Sequence, residues 1–279
     1  MKTVVVTGTT SGIGYETARG IIQRGDLLIT INRSREKWER CSSILHQEFP
    51  HANISSFYAD LSSMVQIRRV CSEVIEKHPV IDVLINNAGI YLAQKEITED
   101  GWEKTWGVNH MAYVAICSFL MDAIKKSKEG RIVQVASRAH WYAQIDVSTM
   151  HDPPKYQGQR IYGTSKLCNI LHTRALAKRH PSITVNCLHP GVVKTGFARD
   201  QGGLMGWGFR ILKHFFISAQ QGAETSIFLA YDSSVSGKTG GYYASCQLQS
   251  PSKKAQSLIL EEAVWNRSME LFHKVWSEE

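Results

Sequence analysis

Tyr162 and Lys166 stand four positions apart in Tyr162-Gly163-Thr164-Ser165-Lys166, at the head of an apolar helical run through Leu167, Ile170 and Leu171. That spacing puts both side chains on one helix face, roughly 6 Å apart along the axis, so an ammonium can lie near a phenol. A neighbouring cation favours phenolate and lowers a tyrosine pKa by about 1 to 3 units, toward a group that can give or take a proton. Taken alone, the pair is better explained as an exposed helix pair, since this spacing arises often by chance.

A second chemical stretch opens the chain. Thr7-Gly8-Thr9-Thr10-Ser11-Gly12-Ile13-Gly14 spaces its glycines as G-x-x-x-G-x-G, between the β-branched run Val4-Val5-Val6 and a helical segment. Glycine there permits positive φ and close approach of a pyrophosphate, whose charge is favoured by the N–H groups at a helix start. The alternative is an ordinary tight turn, but placement on the first strand-to-helix turn favours a dinucleotide. About 20 residues further on, where an NAD site presents an acid to the ribose 2′-hydroxyl, stand Asn32 and Arg33. A guanidinium suits a 2′-phosphate through bidentate, charge-assisted bonds and points to NADP(H); otherwise Arg33 begins a solvated basic face with Arg35 and Lys37.

These residues need elements to hold them. Buried-type strands are expected at Val4–Val6, Leu27–Ile31, Ile54–Tyr58, Ile81–Ile85, Arg131–Ala136 and Ile183–Leu188, with a short last strand at Gly240–Tyr243. Helices are expected at Tyr15–Gln23, Glu36–Phe49, Met64–Lys77 (capped by the serines before it), Trp102–Ile124, Ile161–Arg179, Gln220–Tyr231 and Leu258–Trp276. The alternation predicts an α/β fold, a Rossmann-like doubly wound parallel sheet with its ligand site beyond the carboxyl ends of the strands. No linker separates a second domain, so residues 1–279 read as one domain, with a substrate lid at about 198–220 and a closing C-terminal helix at about 255–276.

Gly8, Gly12 and Gly14, then Asn86-Asn87-Ala88-Gly89, then Tyr162-x-x-x-Lys166 resemble the short-chain dehydrogenase/reductase family over positions 3 to about 195. The resemblance implies a catalytic tetrad of Asn109, Ser137, Tyr162 and Lys166. It also implies cofactor binding by Gly8, Thr10, Ser11, Gly12, Ile13, Gly14, Arg33, Asp60, Leu61, Asn87, Ala88, Gly89, Tyr162, Lys166, Pro190, Gly191, Val193 and Thr195. Ser137 would bond the substrate carbonyl and Tyr162 protonate its oxygen, while Lys166 holds the cofactor ribose and lowers the Tyr162 pKa; Asn109 would retain a water beside Lys166. His110, Ser165-Lys166-Leu167-Cys168-Asn169, His189-Pro190-Gly191-Val192-Val193 and Gly240-Gly241-Tyr242-Tyr243 are most similar to the retinol dehydrogenase-like branch, which generally prefers NADP(H). Two other readings stay open: a regulatory protein that senses NADP without turnover, and a light-dependent protochlorophyllide reductase-like enzyme, suggested by Cys168-Asn169 after the lysine.

Composition bounds the partners. Net charge is +7, but the basic residues are spread along the chain, so no nucleic-acid partner is expected. Six scattered cysteines without a Cys-x-x-Cys pair, and histidines without ligand spacing, argue for a reduced compartment and no metal. With no signal peptide read ahead of Val4, a cytoplasmic location follows. Leu204 to Ile217 is broken by Arg210, Lys213 and His214, so it does not span a bilayer but is the candidate for contact with a membrane surface. The expected substrate is a small lipophilic carbonyl or alcohol, walled by Trp141, Tyr142, Trp207 and Phe209; oligomeric state is open.

Overall fold

The computed structural model of the chain describes residues 1–191 and 217–277. Eight strands form one sheet: β1 (Thr3–Thr7), β2 (Leu27–Asn32), β3 (Ile54–Tyr58), β4 (Val83–Asn86), β5 (Arg131–Val135), β6 (Thr184–Leu188), β7 (Tyr242–Ala244) and β8 (Gln247–Gln249). Their order is β3-β2-β1-β4-β5-β6-β7-β8, parallel throughout except for the antiparallel β7–β8 pair. Order reverses between β1 and β4, which opens a crevice at the carboxyl ends of those strands.

Continuous apolar strands form here because both sheet faces are covered. Val5, Ile29 and Leu84 face a core shared with α3 (Met64–Lys77), α4 (Lys104–Lys125), α5 (Gly158–Arg179) and α7 (Leu258–Ser277). Val4, Val6, Leu28 and Ile85 face the opposite core, with α1 (Gly12–Ile22), α2 (Arg35–Glu48) and α6 (Ala219–Tyr231). The expected serine cap is present: Ser63 accepts from the N–H of Gln66 and starts α3.

Two differences from the sequence reading have physical causes. The helix expected over Trp102–Ile124 begins instead at Lys104, where the Glu103 carboxylate accepts from the N–H groups of Thr105 and Trp106, and it carries a π turn at Gly107–Met111. Apolar periodicity does not register a one-residue bulge. The edge strand β8 was not expected, because its tight turn places Ser245 (φ 48°) and Cys246 (φ 59°) in the left-handed region without the glycine or asparagine that announces such a turn.

By length and composition α4 could cross a membrane, but it lies in the core. Among the described residues no histidine, cysteine or acidic cluster could hold a metal. The proposed lid and membrane-contact segment fall almost entirely outside the described residues, as do Trp207 and Phe209.

Candidate active site

The first turn is a cradle with no room for side chains at two of its glycines. A Cβ on Gly14 would stand 2.0 Å from the Gly8 carbonyl oxygen and 2.5 Å from Asn87 Nδ2, and one on Gly8 (φ 72°) 2.9 Å from Ala88 Cα. Asn87 ties the turn to β4: Nδ2 donates to the carbonyls of Thr7 (2.9 Å) and Gly8 (3.0 Å), while Thr7 Oγ1 accepts from the N–H groups of Asn87 and Ala88. Ser11, the N-cap of α1, makes no side-chain cap bond, so the first N–H groups of the helix keep their capacity for an anion. Ile13 sits partly exposed in that first turn, and the Thr10 carbonyl accepts from Cys41 Sγ at 3.3 Å.

At the end of β2 the two residues read from sequence part company. Asn32 is buried and braces the cradle, its Oδ1 accepting from the Thr9 N–H and its Nδ2 donating to Thr9 Oγ1, both at 2.8 Å. Arg33 is exposed just beyond it. Arg35, which could have competed for the same role, packs its guanidinium 4.1 Å from the Tyr58 ring centre. At the end of β3, Asp60 Oδ1 accepts from the N–H (2.9 Å) and hydroxyl (2.7 Å) of Ser62, and Leu61 is buried.

Asn109, Ser137, Tyr162 and Lys166 come together beside Gly89. Asn109 lies in the π turn; its Oδ1 accepts from the Ile90 N–H (2.7 Å), and its Nδ2 donates to the Ile90 carbonyl (2.9 Å) and Ser165 Oγ (3.1 Å). A Cβ on Gly89 would lie 3.2 Å from Asn109 Oδ1 and 3.4 Å from Lys166 Nζ. Lys166 donates to the Val135 carbonyl at 3.0 Å, and its Nζ is 5.7 Å from the Tyr162 ring centre. The Tyr162 side chain is hydrogen-bonded to that of Ser137, whose Oγ also accepts from the Ala139 N–H at 3.2 Å. Pro190 and Gly191 (φ 92°) are partly exposed at the end of β6, whereas Val193 and Thr195 lie outside the described residues.

The electrostatics differ from what the spacing suggests. Burial raises the Tyr162 phenol above its ordinary value, opposed by the Ser137 hydrogen bond, and burial holds Lys166 down to about 7. A lysine this deeply desolvated is incompletely charged near neutrality, and that weakens the pull on the phenol expected from an i, i+4 pair.

Sequence reasoning missed several supports. Tyr113, one turn beyond Asn109, donates its hydroxyl to the Ala88 carbonyl at 2.8 Å and is fully buried, a partner that the four-residue spacing on α4 could have disclosed. Tyr91 meets the Tyr162 ring edge-on at 6.2 Å. Behind the site runs a buried polar chain. Asn169 Nδ2 donates to the Asn109 carbonyl (2.9 Å), so its Oδ1 accepts from His110 Nδ1 (3.2 Å), and His110 Nε2 lies 2.8 Å from the Ser268 hydroxyl on α7, which can donate or accept. Burial pushes His110 down to about 4, so near neutral pH the imidazole is uncharged and Nε2 accepts from Ser268.

The unfolded chain therefore takes up protons that the folded one refuses. Stability is fully present above the ordinary histidine value of 6.5 and is lost as pH falls toward about 4, at about 3 kcal/mol for this group alone. His172, stacked on Trp265 at 5.5 Å, is pushed the same way. Thermal melts from neutral pH down to about 4 are expected to show this slope, and His110→Gln to flatten it. An unchanged slope in the variant would assign it to other groups.

The same polypeptide has identifiable relatives. The short chain dehydrogenase family model matches residues 2–203. Retinol dehydrogenase 14 of Mus musculus is 34% identical over 96% of this chain and 84% of its own length. Short-chain dehydrogenase TIC 32 A, chloroplastic, of Brassica napus is 33% identical over 96% of this chain and 88% of its own. The crystal structure of an uncharacterized protein from Mycobacterium paratuberculosis superposes with a TM-score of 0.78 at 26% identity, covering 97% of this chain and 93% of that one.

Proposed function

The chain belongs to the short-chain dehydrogenase/reductase family of oxidoreductases, which use a nicotinamide cofactor, and from that premise we propose that it transfers hydride between NADP(H) and a lipophilic carbonyl or alcohol. The observation that carries this reading is the convergence of Asn109, Ser137, Tyr162 and Lys166 at the open ends of β4 and β5, beside a glycine cradle that excludes Cβ atoms.

In this reading Tyr162 protonates the carbonyl oxygen during reduction, and its raised pKa keeps the phenol protonated at neutral pH. Ser137, whose Oγ already accepts from the Ala139 N–H, would turn its O–H from Tyr162 to donate toward the same oxygen. Asn109 and Gly89 shape the space around Lys166 Nζ. Gly8, Thr10, Ser11, Gly12, Ile13 and Gly14 would hold the pyrophosphate, Asp60 and Leu61 the adenine, and Asn87, Ala88, Gly89, Tyr162 and Lys166 the nicotinamide ribose. Pro190 and Gly191, continuing to Val193 and Thr195, would form the nicotinamide-side loop. When bound, the cofactor supplies or accepts the hydride.

The preference for NADP(H) rests on Arg33, exposed beyond β2, and on the absence of an acid at Asn32. The lipophilic substrate class is supported by a relative named for retinol and by the exposed Trp141 and Tyr142 after Ser137. A cytoplasmic enzyme touching a membrane surface through 204–217 completes the reading, supported by the mixed apolar and basic composition of that segment. The test is NADPH and NADH oxidation by the purified chain against a panel of lipophilic aldehydes and ketones. NADPH is expected to be preferred, and Arg33→Ala to weaken its binding about 10- to 100-fold while leaving NADH within about twofold. Tight NADPH binding with no turnover on the panel would return the chain to a cofactor-sensing role.

A further inference from the structure

We propose that His140 is a positioning residue that fixes Ser137 by bridging its carbonyl to the C-terminal segment at Ser252; this rests on Ser137 acting on the substrate carbonyl, as read above. His140 is fully buried in the short 3-10 turn Arg138–Tyr142. Its Nδ1 lies 2.7 Å from the Ser137 carbonyl oxygen, and its Nε2 lies 3.1 Å from the backbone nitrogen of Ser252, 112 residues further along the chain. A carbonyl can only accept and a backbone N–H can only donate, so the two partners dictate one state: neutral imidazole, proton on Nδ1, lone pair on Nε2.

The rest of the turn is held from both sides. On one side a Cβ at Gly163, between Tyr162 and Lys166, would lie 2.7 Å from the Ala139 carbonyl oxygen, so the turn rests directly on the catalytic helix. On the other, Lys254 Nζ donates to the Ala143 carbonyl at 2.7 Å, and Ser252 is itself buried, with Oγ accepting from the Ala255 N–H. The Ala139 N–H and Tyr162 hold the Ser137 Oγ, but the backbone that carries it is extended (φ −158°, ψ 155°), a conformation any residue adopts, so local preference does not fix its position. The bond from His140 to the Ser137 carbonyl anchors that backbone. Tyr242 packs against His140 with ring centres 5.2 Å apart and bonds His189 at 2.7 Å, which joins the same C-terminal region to the end of β6.

A histidine that merely filled space would be replaced by any side chain of similar volume. His140→Phe instead removes both bonds and is expected to lower kcat about 10- to 100-fold with the NADPH dissociation constant within about twofold of wild type, since Ser137 addresses substrate rather than cofactor. Asn at this position keeps an N–H at the δ position and is expected to stay within about fivefold of wild type, whereas Gln offers its amide one atom further out and is expected to be as slow as Phe. His140→Asn and His140→Gln also keep the test alive if the Phe variant does not fold. In a Ser137→Ala background, replacing His140 is expected to cost less than about threefold, because the group it positions is gone. Equal cost in both backgrounds, Gln as active as Asn, or loss of NADPH binding in step with kcat would overturn the proposal while leaving Ser137 in its role. Wild-type turnover in Ser137→Ala alone would overturn the reading of the site, and the proposal with it.

Discussion

Tyr162→Phe will still bind NADPH, within about tenfold of the wild type for one lost ribose contact, and turn over carbonyl substrates about 100- to 10,000-fold more slowly, the span expected for loss of a general acid. Only the hydroxyl is removed. The ring still meets Tyr91 edge-on, Lys166 still donates to the Val135 carbonyl, and neither contact passes through the phenol oxygen. Among the ionisable groups at the site, Tyr162 is the one suited to the role: it is partly exposed beside Ser137, while Lys166 is 3% exposed and committed to the sheet. Because burial raises the phenol, its protonated form persists above neutrality, so carbonyl reduction is expected to hold its rate across the neutral range. Alcohol oxidation, which needs the phenolate to accept a proton, is expected to accelerate as pH rises. Steady-state kinetics in both directions, with NADPH binding followed separately by its fluorescence, check both statements. Turnover within about tenfold of wild type in Tyr162→Phe would remove the phenol from the chemistry.

How far the sequence could be read depends on the range of the forces involved. Val4–Val6 announced a buried central strand because a sheet covered on both faces needs no alternation, and the glycine turn announced itself because a positive φ and a backbone that must be approached closely are local demands. Tyr162 and Lys166 were legible as a helical pair, but the sign of the perturbation was not. Spacing gives proximity, whereas desolvation of the lysine comes from α4, β5 and α5 packing around it. Asn32 shows the same limit: read as a neighbour of the 2′-phosphate site, it turns inward to brace Thr9. Supports that depend on distant partners left no mark. His110 meets Ser268 across 158 positions and His140 meets Ser252 across 112, and neither separation has a periodicity. The lid at 198–220 and the residues Val193 and Thr195 lie outside the described residues, apart from the stretch from Ile217 onward.

Gly14→Ala will raise the NADPH dissociation constant by at least about tenfold and lower the melting temperature, despite replacing glycine in a helix with the best helix former. Helix propensity favours the change by about 1 kcal/mol, so the outcome depends on whether the cradle can yield. The new Cβ would stand 2.0 Å from the Gly8 carbonyl oxygen and 2.9 Å from its carbonyl carbon, both backbone atoms. Gly8 cannot retreat, since its own Cα is packed against Ala88 closely enough that a Cβ there would come within 2.9 Å of the Ala88 Cα. Asn87 cannot swing away without giving up its bonds to the Thr7 and Gly8 carbonyls, 2.5 Å being the distance from its Nδ2 to the added atom. The relief must come from the helix, so α1 moves off the turn and carries the open N–H groups after Ser11 away from the pyrophosphate. Overpacking of this kind costs about 1 to 3 kcal/mol, more than propensity returns. Fluorescence titration with NADPH and a thermal melt of the unliganded chain separate the two effects. Wild-type affinity in Gly14→Ala would show that the cradle is not where the pyrophosphate sits, whatever the melt gives.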